Sequence, residues 1–137
     1  MLTGKKIVLG VSGGIAAYKM ANVASMLSKL HADIHVVMTE NATHFITPET
    51  FEVLTGNHCY TDTFDRCMEL HVPHIALGTQ ADAILIAPAS ADVVGKIANG
   101  IADDMLTTCV LPATCPVMLA PSMNVHMYEN PIVQDNM

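Results

Sequence analysis

The sequence predicts an α/β fold: a doubly wound parallel sheet with helices on both faces, in three α/β/α layers of the flavodoxin or Rossmann type. Short apolar runs rich in β-branched residues alternate with segments of helical periodicity along the 137 residues. A strand, a helix and a strand within about 35 residues at the start indicate a parallel pair with a right-handed crossover. A chain of this length is expected to form a single domain, residues 1–137.

The first part of the chain supplies the predicted βαβ unit. Residues 5–11 are a short β-branched run that indicates a buried strand, and Ser12-Gly13-Gly14 interrupts it. Residues 15–30 place apolar side chains at helical spacing, are rich in alanine and contain no proline, so they are predicted to form a helix. Residues 33–39 are predicted to be the second strand.

The alternation continues and predicts two more core strands, with helices between them. The predicted segments are a loop and short helix over 40–56 with Pro48-Glu49 in the first turn, an irregular stretch over 57–72, a helix over 73–80, a strand over 82–87, helices over 90–99 and 102–111, and a strand over 116–120. The chain stops at 134–137 without an evident terminal element.

Composition and charge narrow the function classes. The net charge of −7 argues against a nucleic-acid partner, because neutralising phosphates requires clustered Lys and Arg. No apolar run approaches the roughly 18 residues of a membrane span, and no N-terminal signal pattern is present, so a cytoplasmic location is expected. The 51% of hydrophobic residues, against 14% charged, indicates that other subunits cover part of the surface.

The cysteine and histidine spacing does not favour a metal site. The chain has four cysteines, and no two of them form a Cys-x-x-Cys pair: Cys59, Cys67, Cys109 and Cys115. His71 and His74 are the closely spaced histidines, and no cysteine lies beside them at the spacing of a zinc finger. We therefore expect no bound metal, and we expect reduced thiols.

Small polar residues or glycines follow each predicted strand. Gly13, Ser90 and Ser122 follow three of the predicted strands and Thr39 ends the other, so all four should lie along one carboxyl edge of the sheet, where open α/β sheets bind ligands. Each has a simpler explanation: the glycines as a tight turn, Thr39 and Ser90 as helix caps. Together they suit a flat, phosphorylated cofactor, because glycine lets backbone amides approach a phosphate at a helix N-terminus.

Two further polar residues, His74 and Asn124, occupy positions that indicate a functional role. His74 opens the predicted helix over 73–80, where the helix N-terminus disfavours the protonated imidazole and leaves it able to accept a proton. Asn124 lies between Met123 and Val125 after the last strand, a position that core packing does not explain. A lone histidine is more often structural, so the residue types alone leave its role open.

Five motifs, in order and spanning essentially the whole chain, resemble those of the homo-oligomeric flavin-containing cysteine decarboxylases. The last of them, a Pro-x-Met-Asn-x-x-Met pattern, is the most specific, although Tyr128 stands where the family commonly has Trp. The motifs are Ser12-Gly13-Gly14-Ile15-Ala16-Ala17-Tyr18-Lys19, His74-Ile75-Ala76-Leu77, Ala87-Pro88-Ala89-Ser90-Ala91-Asp92, residues 98–107 (Ala-Asn-Gly-Ile-Ala-Asp-Asp-Met-Leu-Thr) and residues 121–128 (Pro-Ser-Met-Asn-Val-His-Met-Tyr).

The resemblance implies FMN held between the subunits of a trimer, or of a dodecamer of trimers. By motif position, His74 matches the active-site histidine, and Asn124, with Met123 beside it, matches the residue that binds the carboxylate of the substrate's cysteine. The positions that would line the flavin are Gly13, Gly14, Ile15, Thr39, Phe45, Ser90, Ala91, Asp92, Val93 and Ser122.

Within this family, the chain most resembles the branch that acts on 4′-phosphopantothenoylcysteine in coenzyme A biosynthesis. The implied reaction oxidises the cysteinyl thiol to a thioaldehyde. When CO2 then leaves, the electron pair of the broken carbon–carbon bond can be delocalised onto the sulfur atom. The family's proton-donor cysteine lies on a substrate flap after the last motif. The chain ends before such a segment, so we expect a truncated version of a longer protein, in which neither Cys109 nor Cys115 takes that role.

Three alternatives remain at this point. A peptidyl-cysteine decarboxylase of the same family would stop at the enethiol and need no proton-donor cysteine. A flavin prenyltransferase relative would suit the fold but not the pairing of His74 with Asn124. A non-catalytic flavoprotein that regulates a partner would more often carry long acidic tails, which the sequence lacks.

Overall fold

The computed structural model describes residues 1–64 and 73–137, except for the side chains of Pro73 and His74, and it contains a four-stranded parallel sheet. The strands lie in the order β2-β1-β3-β4, and all neighbours run parallel. This confirms the predicted α/β class. The strands are β1 (Lys6–Val11), β2 (Asp33–Met38), β3 (Ala83–Ala89) and β4 (Val117–Pro121).

Seven α-helices and two 3-10 helices are described around this sheet. The 3-10 helices, Ile15–Lys19 and Asn41–His44, follow β1 and β2 directly. The α-helices are α1 (Met20–Lys29), α2 (Pro48–Thr55), α3 (Pro73–Gln80), α4 (Ala91–Ala98), α5 (Met105–Val110), α6 (Val125–Tyr128) and α7 (Pro131–Asn136).

Both faces of the sheet are covered, as a doubly wound fold requires. One core cluster joins Leu9 of β1 and Ile34 of β2 to Phe51 of α2, and the other joins Val8 of β1 to Leu106 of α5. Neighbouring residues of a strand point to opposite faces, so Val8 and Leu9 belong to different clusters. The chain therefore has three layers, with α1 and α2 on one side and α3, α4 and α5 on the other.

The predicted helix over 15–30 is wrong in its first turn, which is a 3-10 helix. Gly14 precedes it in an extended conformation and has no side chain to cap the free amides. The first turn instead closes with the Ala17 amide donating to the Gly14 carbonyl over 3.0 Å. This tighter turn is a common way to satisfy a helix end that lacks a cap.

The predicted helix over 102–111 begins three residues later than expected, because Asp104 caps it. Asp104 accepts a hydrogen bond from the Thr107 amide at 2.8 Å, and the Thr107 hydroxyl reaches back to the Asp104 amide at 3.2 Å. This capping box fixes the start of α5 at Met105. The segment after β4, for which no element was predicted, contains α6 and α7.

Some predictions fall on residues outside this description. Cys67 and His71 lie in the undescribed stretch 65–72. Within the described part of the chain, every helix falls short of the length and apolar character needed to cross a bilayer. Over residues 1–64 and 73–137, no group of three or more His, Cys, Asp or Glu could hold a metal ion.

Candidate functional site

A cavity of about 430 Å³ opens at the carboxyl edge of the sheet, between the ends of β1 and β3. From this point the chain leaves β1 toward β2 on one side, while β3 leads to β4 on the other. Such a topological switch point is where open α/β sheets bind ligands, and the volume lies in the range of about 300–1,000 Å³ usual for cofactor sites. The cavity is lined by Gly13, Thr39, Glu40, Asn41, Ser90, Ala91, Asp92, Val93, Lys96, Asp103, Asp104 and Met127.

The side chain of Ser12 ties the two central strands together beneath this cavity. It is fully buried, its hydroxyl donates to the Pro88 carbonyl, and the same oxygen accepts from the Ser90 amide at 2.9 Å. The Ser12 amide also donates to the Pro88 carbonyl at 3.3 Å. These bonds fix the loop after β1 relative to the loop after β3.

Gly13 is required by the packing of the protein itself. A Cβ atom at this position would lie 2.4 Å from the Cβ of Asn41 and 3.1 Å from its backbone carbon. The glycine thus lets the loop after β1 touch the 3-10 helix after β2. Thr39 supports the same 3-10 helix, because its hydroxyl accepts from the Ala42 amide at 3.2 Å, although the residue at the N-cap position is Glu40 and not Thr39 as the cap prediction had it.

Gly14 differs from its neighbour, since among the described residues no atom beyond its two chain neighbours lies within 4 Å of a Cβ built on it. Its φ of −171° is extended backbone that any residue adopts, so the fold alone gives no reason for glycine here. Open space at a glycine beside a cavity fits a ligand that approaches the backbone closely.

The backbone amides in the cavity wall favour an anionic group. Ser90 caps α4 by accepting from the Val93 amide at 3.3 Å, as predicted. The amides of Gly13, Ala91 and Asp92 have no acceptor among the described residues. A helix N-terminus with free amides attracts phosphate and other anions, so this wall can hold a phosphorylated ligand without a basic side chain.

The segment after β4 contains Asn124 and reaches the cavity at Met127. The Ser122 amide donates to the Ala89 carbonyl at 3.1 Å, which places this segment beside the end of β3. Asn124 then caps α6, its Oδ1 accepting from the His126 amide at 2.8 Å. One turn later Met127 lines the cavity. Because Oδ1 faces the backbone, the NH2 group of Asn124 is left to donate, which is what a carboxylate ligand needs.

The predicted site residues thus fall into two groups. Gly13, Thr39 and the Ser90–Val93 turn line one cavity. The lining does not include Gly14, Ile15, Phe45, Ser122, Met123 or Asn124, and of these Ile15 and Phe45 expose apolar side chains at 75% and 46%. His74 is the second residue of α3, and its side chain lies outside the described part of the chain. The ligand-binding role of each residue stays a prediction.

Sequence reasoning assigned no role to Lys96 or Glu40, although both line the cavity. The signal for Lys96 was its position four residues after Asp92, which is the spacing of an ion pair on a helix. Glu40 follows the second strand directly, as Thr39 does, and that placement could have identified it. Asp103 and Asp104 lie in a recognised motif without an assigned role.

The described thiols take no part in the cavity. Cys109 is fully buried in α5, and burial, together with the nearby Asp104 carboxylate, raises the pKa of its thiol to about 12. A thiol in this environment packs as a small apolar side chain. That Cys109 is not the proton donor stays a prediction.

Comparison with known proteins gives one family and several solved relatives. The Flavoprotein family profile matches residues 1–137. The coenzyme A biosynthesis bifunctional protein CoaBC of Bacillus subtilis (strain 168) is 50% identical over 136 residues, covering 99% of this chain and 34% of that protein. The chain therefore spans about a third of the length of the curated relatives it matches.

Two solved structures show the same fold at appreciable identity. The FMN-dependent cysteine decarboxylase SpaF is 38% identical with a TM-score of 0.91, covering 99% of this chain and 78% of that chain. A PPC decarboxylase mutant complexed with pantothenoylaminoethenethiol is 31% identical with a TM-score of 0.82, covering 96% of this chain and 74% of that one.

The two neighbouring glycines should respond differently to substitution by alanine. Gly13→Ala forces the Asn41 turn to move, and we expect it to lower the free energy of unfolding of the apoprotein by about 1–3 kcal/mol. Gly14→Ala meets no protein atom, so it should leave that free energy unchanged while weakening the binding of FMN, the cofactor that the sequence motifs imply.

Urea unfolding of the apoproteins and fluorescence titration with FMN measure the two effects. If Gly14→Ala binds FMN as tightly as the unmodified protein, the open space at Gly14 does not receive the cofactor. Unchanged stability of Gly13→Ala would contradict the close contact with Asn41.

Proposed function

The chain belongs to the Flavoprotein family, and on this basis we propose that it is an FMN-dependent decarboxylase of 4′-phosphopantothenoylcysteine in coenzyme A biosynthesis. The observation that carries the proposal is the likeness, over nearly the whole chain, to bifunctional proteins of that pathway. The structural likeness to a PPC decarboxylase with a bound pantothenoyl ligand supports the same substrate. A cytoplasmic location goes with this role.

The residues of the cavity fit FMN. Free amides at Gly13, Ala91 and Asp92 would hold its phosphate, and the open space at Gly14 admits a ligand close to the backbone. When bound, FMN would supply a two-electron oxidation that converts the cysteinyl CH2–SH to a thioaldehyde, whose sulfur atom stabilises the electron pair left behind when CO2 departs. This is chemistry that no side chain of the protein can supply.

Asn124 orients the substrate in this proposal. Its NH2 group donates to the carboxylate that is lost as CO2, while its Oδ1 remains bound to the His126 amide. The side chain is therefore held in one orientation before the substrate arrives. Its contribution is mainly to hold the reacting carboxylate in place, next to a cavity that Met127 lines one turn away.

His74 acts as the base in this proposal. It is the second residue of α3, at the N-terminus of that helix. A neutral imidazole accepts the proton that leaves the cysteinyl group during oxidation. General base catalysis of this kind contributes about 10²- to 10⁴-fold to the rate.

The decisive experiment is mass spectrometry of the products formed from 4′-phosphopantothenoylcysteine, after the visible spectrum has been recorded. We expect a flavin spectrum and loss of CO2. A product lighter only by CO2 means that the two hydrogens removed in the oxidation are restored in the product, whereas loss of two further hydrogens means that the reaction stops at the enethiol. His74→Asn should keep the spectrum and lose about 10²- to 10⁴-fold in turnover.

Three other outcomes would contradict the proposal. A yellow protein that processes only a peptide ending in cysteine would be a peptidyl-cysteine decarboxylase. A yellow protein with no turnover on either substrate would be a regulatory flavoprotein, and a colourless protein that does not bind added FMN would contradict the cofactor assignment itself.

Asn124→Asp separates the capping role of this residue from its proposed role in binding. Aspartate also caps a helix, so the stability should hold, but it replaces a donor by a charge that repels the substrate carboxylate. We expect kcat/KM to fall by about 10- to 100-fold or more. The matched control is Asn130→Asp, which makes the same change at the cap of α7, where Oδ1 accepts from the Ile132 amide at 2.9 Å.

Steady-state kinetics and thermal unfolding of both variants give the answer. Equal kinetic losses in the two variants would contradict a substrate-binding role for Asn124. If Asn124→Asp loses stability and Asn130→Asp does not, the fall in kcat/KM would be explained by a weakened cap of α6.

We further propose that the protein works as a homo-oligomer, a trimer or a dodecamer of trimers. Ile15, Tyr18 and Phe45 expose apolar side chains, at 75%, 56% and 46%, as surfaces covered by another subunit do. Light scattering of the FMN-loaded protein should give about three or twelve times the 14.6 kDa chain mass. A monomer at micromolar concentration would contradict this assembly.

A further inference from the structure

The cavity is acidic, although the proposed cofactor is a phosphate ester. Four carboxylates line it, from Glu40, Asp92, Asp103 and Asp104. Lys96 is the cationic side chain among the described lining residues. Without compensation, carboxylates within the Debye length of about 8 Å would repel a phosphate dianion.

Lys96 is placed between two of these carboxylates. Its Nζ lies 3.3 Å from Asp92 Oδ2 and 3.2 Å from Asp103 Oδ1. Asp92 belongs to the first turn of α4, and Asp103 belongs to the loop before α5. The ammonium thus joins the first turn of α4 to the loop before α5, and both segments line the cavity.

The surroundings keep this ammonium charged. Partial burial opposes the charged form, but the hydrogen bonds and charges of Asp103 and Asp92 outweigh it and raise the pKa of Lys96 above its usual value. Asp104 is engaged separately, because its carboxylate caps α5. Lys96 therefore neutralises mainly Asp92 and Asp103.

We propose that Lys96 is the counter-ion of the cofactor cavity: it neutralises Asp92 and Asp103 so that the phosphate of FMN can reach the backbone amides. This rests on the proposed function, and it adds a charge-balancing residue to it. Lys96 acts through the two carboxylates and need not touch the phosphate. The affinity for FMN should accordingly follow the net charge of the cavity rather than the integrity of the ion pair.

A charge series on the apoprotein separates these two possibilities. At low salt, Lys96→Met should weaken FMN binding by about 5- to 20-fold, while Lys96→Arg should stay within about 3-fold of the unmodified protein. Asp103→Asn breaks one ion pair but removes a negative charge, so it should bind FMN as tightly or more tightly. The double variant Lys96→Met/Asp103→Asn should bind FMN better than Lys96→Met alone.

Riboflavin, which lacks the phosphate, is the matched ligand control. Fluorescence titrations with FMN and riboflavin at about 50 and 500 mM salt give the affinities. We expect the variants to differ for FMN, less so at high salt, and to agree for riboflavin. Thermal unfolding of each apoprotein reports folding, and if Lys96→Met does not fold, Asp103→Asn decides the question alone.

The outcomes are distinct. Weaker FMN binding by Asp103→Asn, or equal losses for FMN and riboflavin, would assign Lys96 a purely structural role and overturn the inference. If the unmodified protein binds FMN and the series shows no trend with charge, this inference fails while the proposed function stands. If the unmodified protein binds no FMN, both fail together.

Discussion

The buried hydroxyl of Ser12 is the contact on which the site depends. It donates to the Pro88 carbonyl and accepts from the Ser90 amide, and so joins the ends of the two central strands. Those strands lead the chain to opposite sides of the sheet, and their separation creates the cavity. A fully satisfied buried hydroxyl fixes this geometry, because either partner left unpaired would carry the cost of its desolvation. The close contact of Gly13 with Asn41 holds the 3-10 helix after β2 against the loop after β1, and both residues line the cavity.

In the proposed account, backbone dipoles rather than basic side chains hold the phosphorylated ligand at this site. The amides at the start of α4 and after β1 that lack an acceptor among the described residues would supply the attraction, and Lys96 forms ion pairs with two of the acidic side chains around them. Such an arrangement is compatible with a net charge of −7, which would otherwise argue against an anionic ligand. The protein thus contributes position and electrostatics, and the cofactor contributes the redox chemistry.

Much of this could be predicted from the sequence, and the exceptions have physical reasons. The strands and most helices follow from apolar periodicity, and the clustering of Gly13, Thr39 and Ser90 follows from parallel strands ending at one edge. The 3-10 turn at Ile15–Lys19 and the late start of α5 depend on caps, which are decided by single side-chain bonds. The role of Ser12 could not be predicted, because its partners lie 76 and 78 residues away.

A crystal structure of the protein with FMN bound tests the central claim most directly. We predict that the phosphate lies against the amides of Gly13, Ala91 and Asp92, and that part of the cofactor occupies the open space beside Gly14. FMN bound away from the carboxyl ends of β1 and β3, or a cavity that stays empty at saturating FMN, would contradict the account.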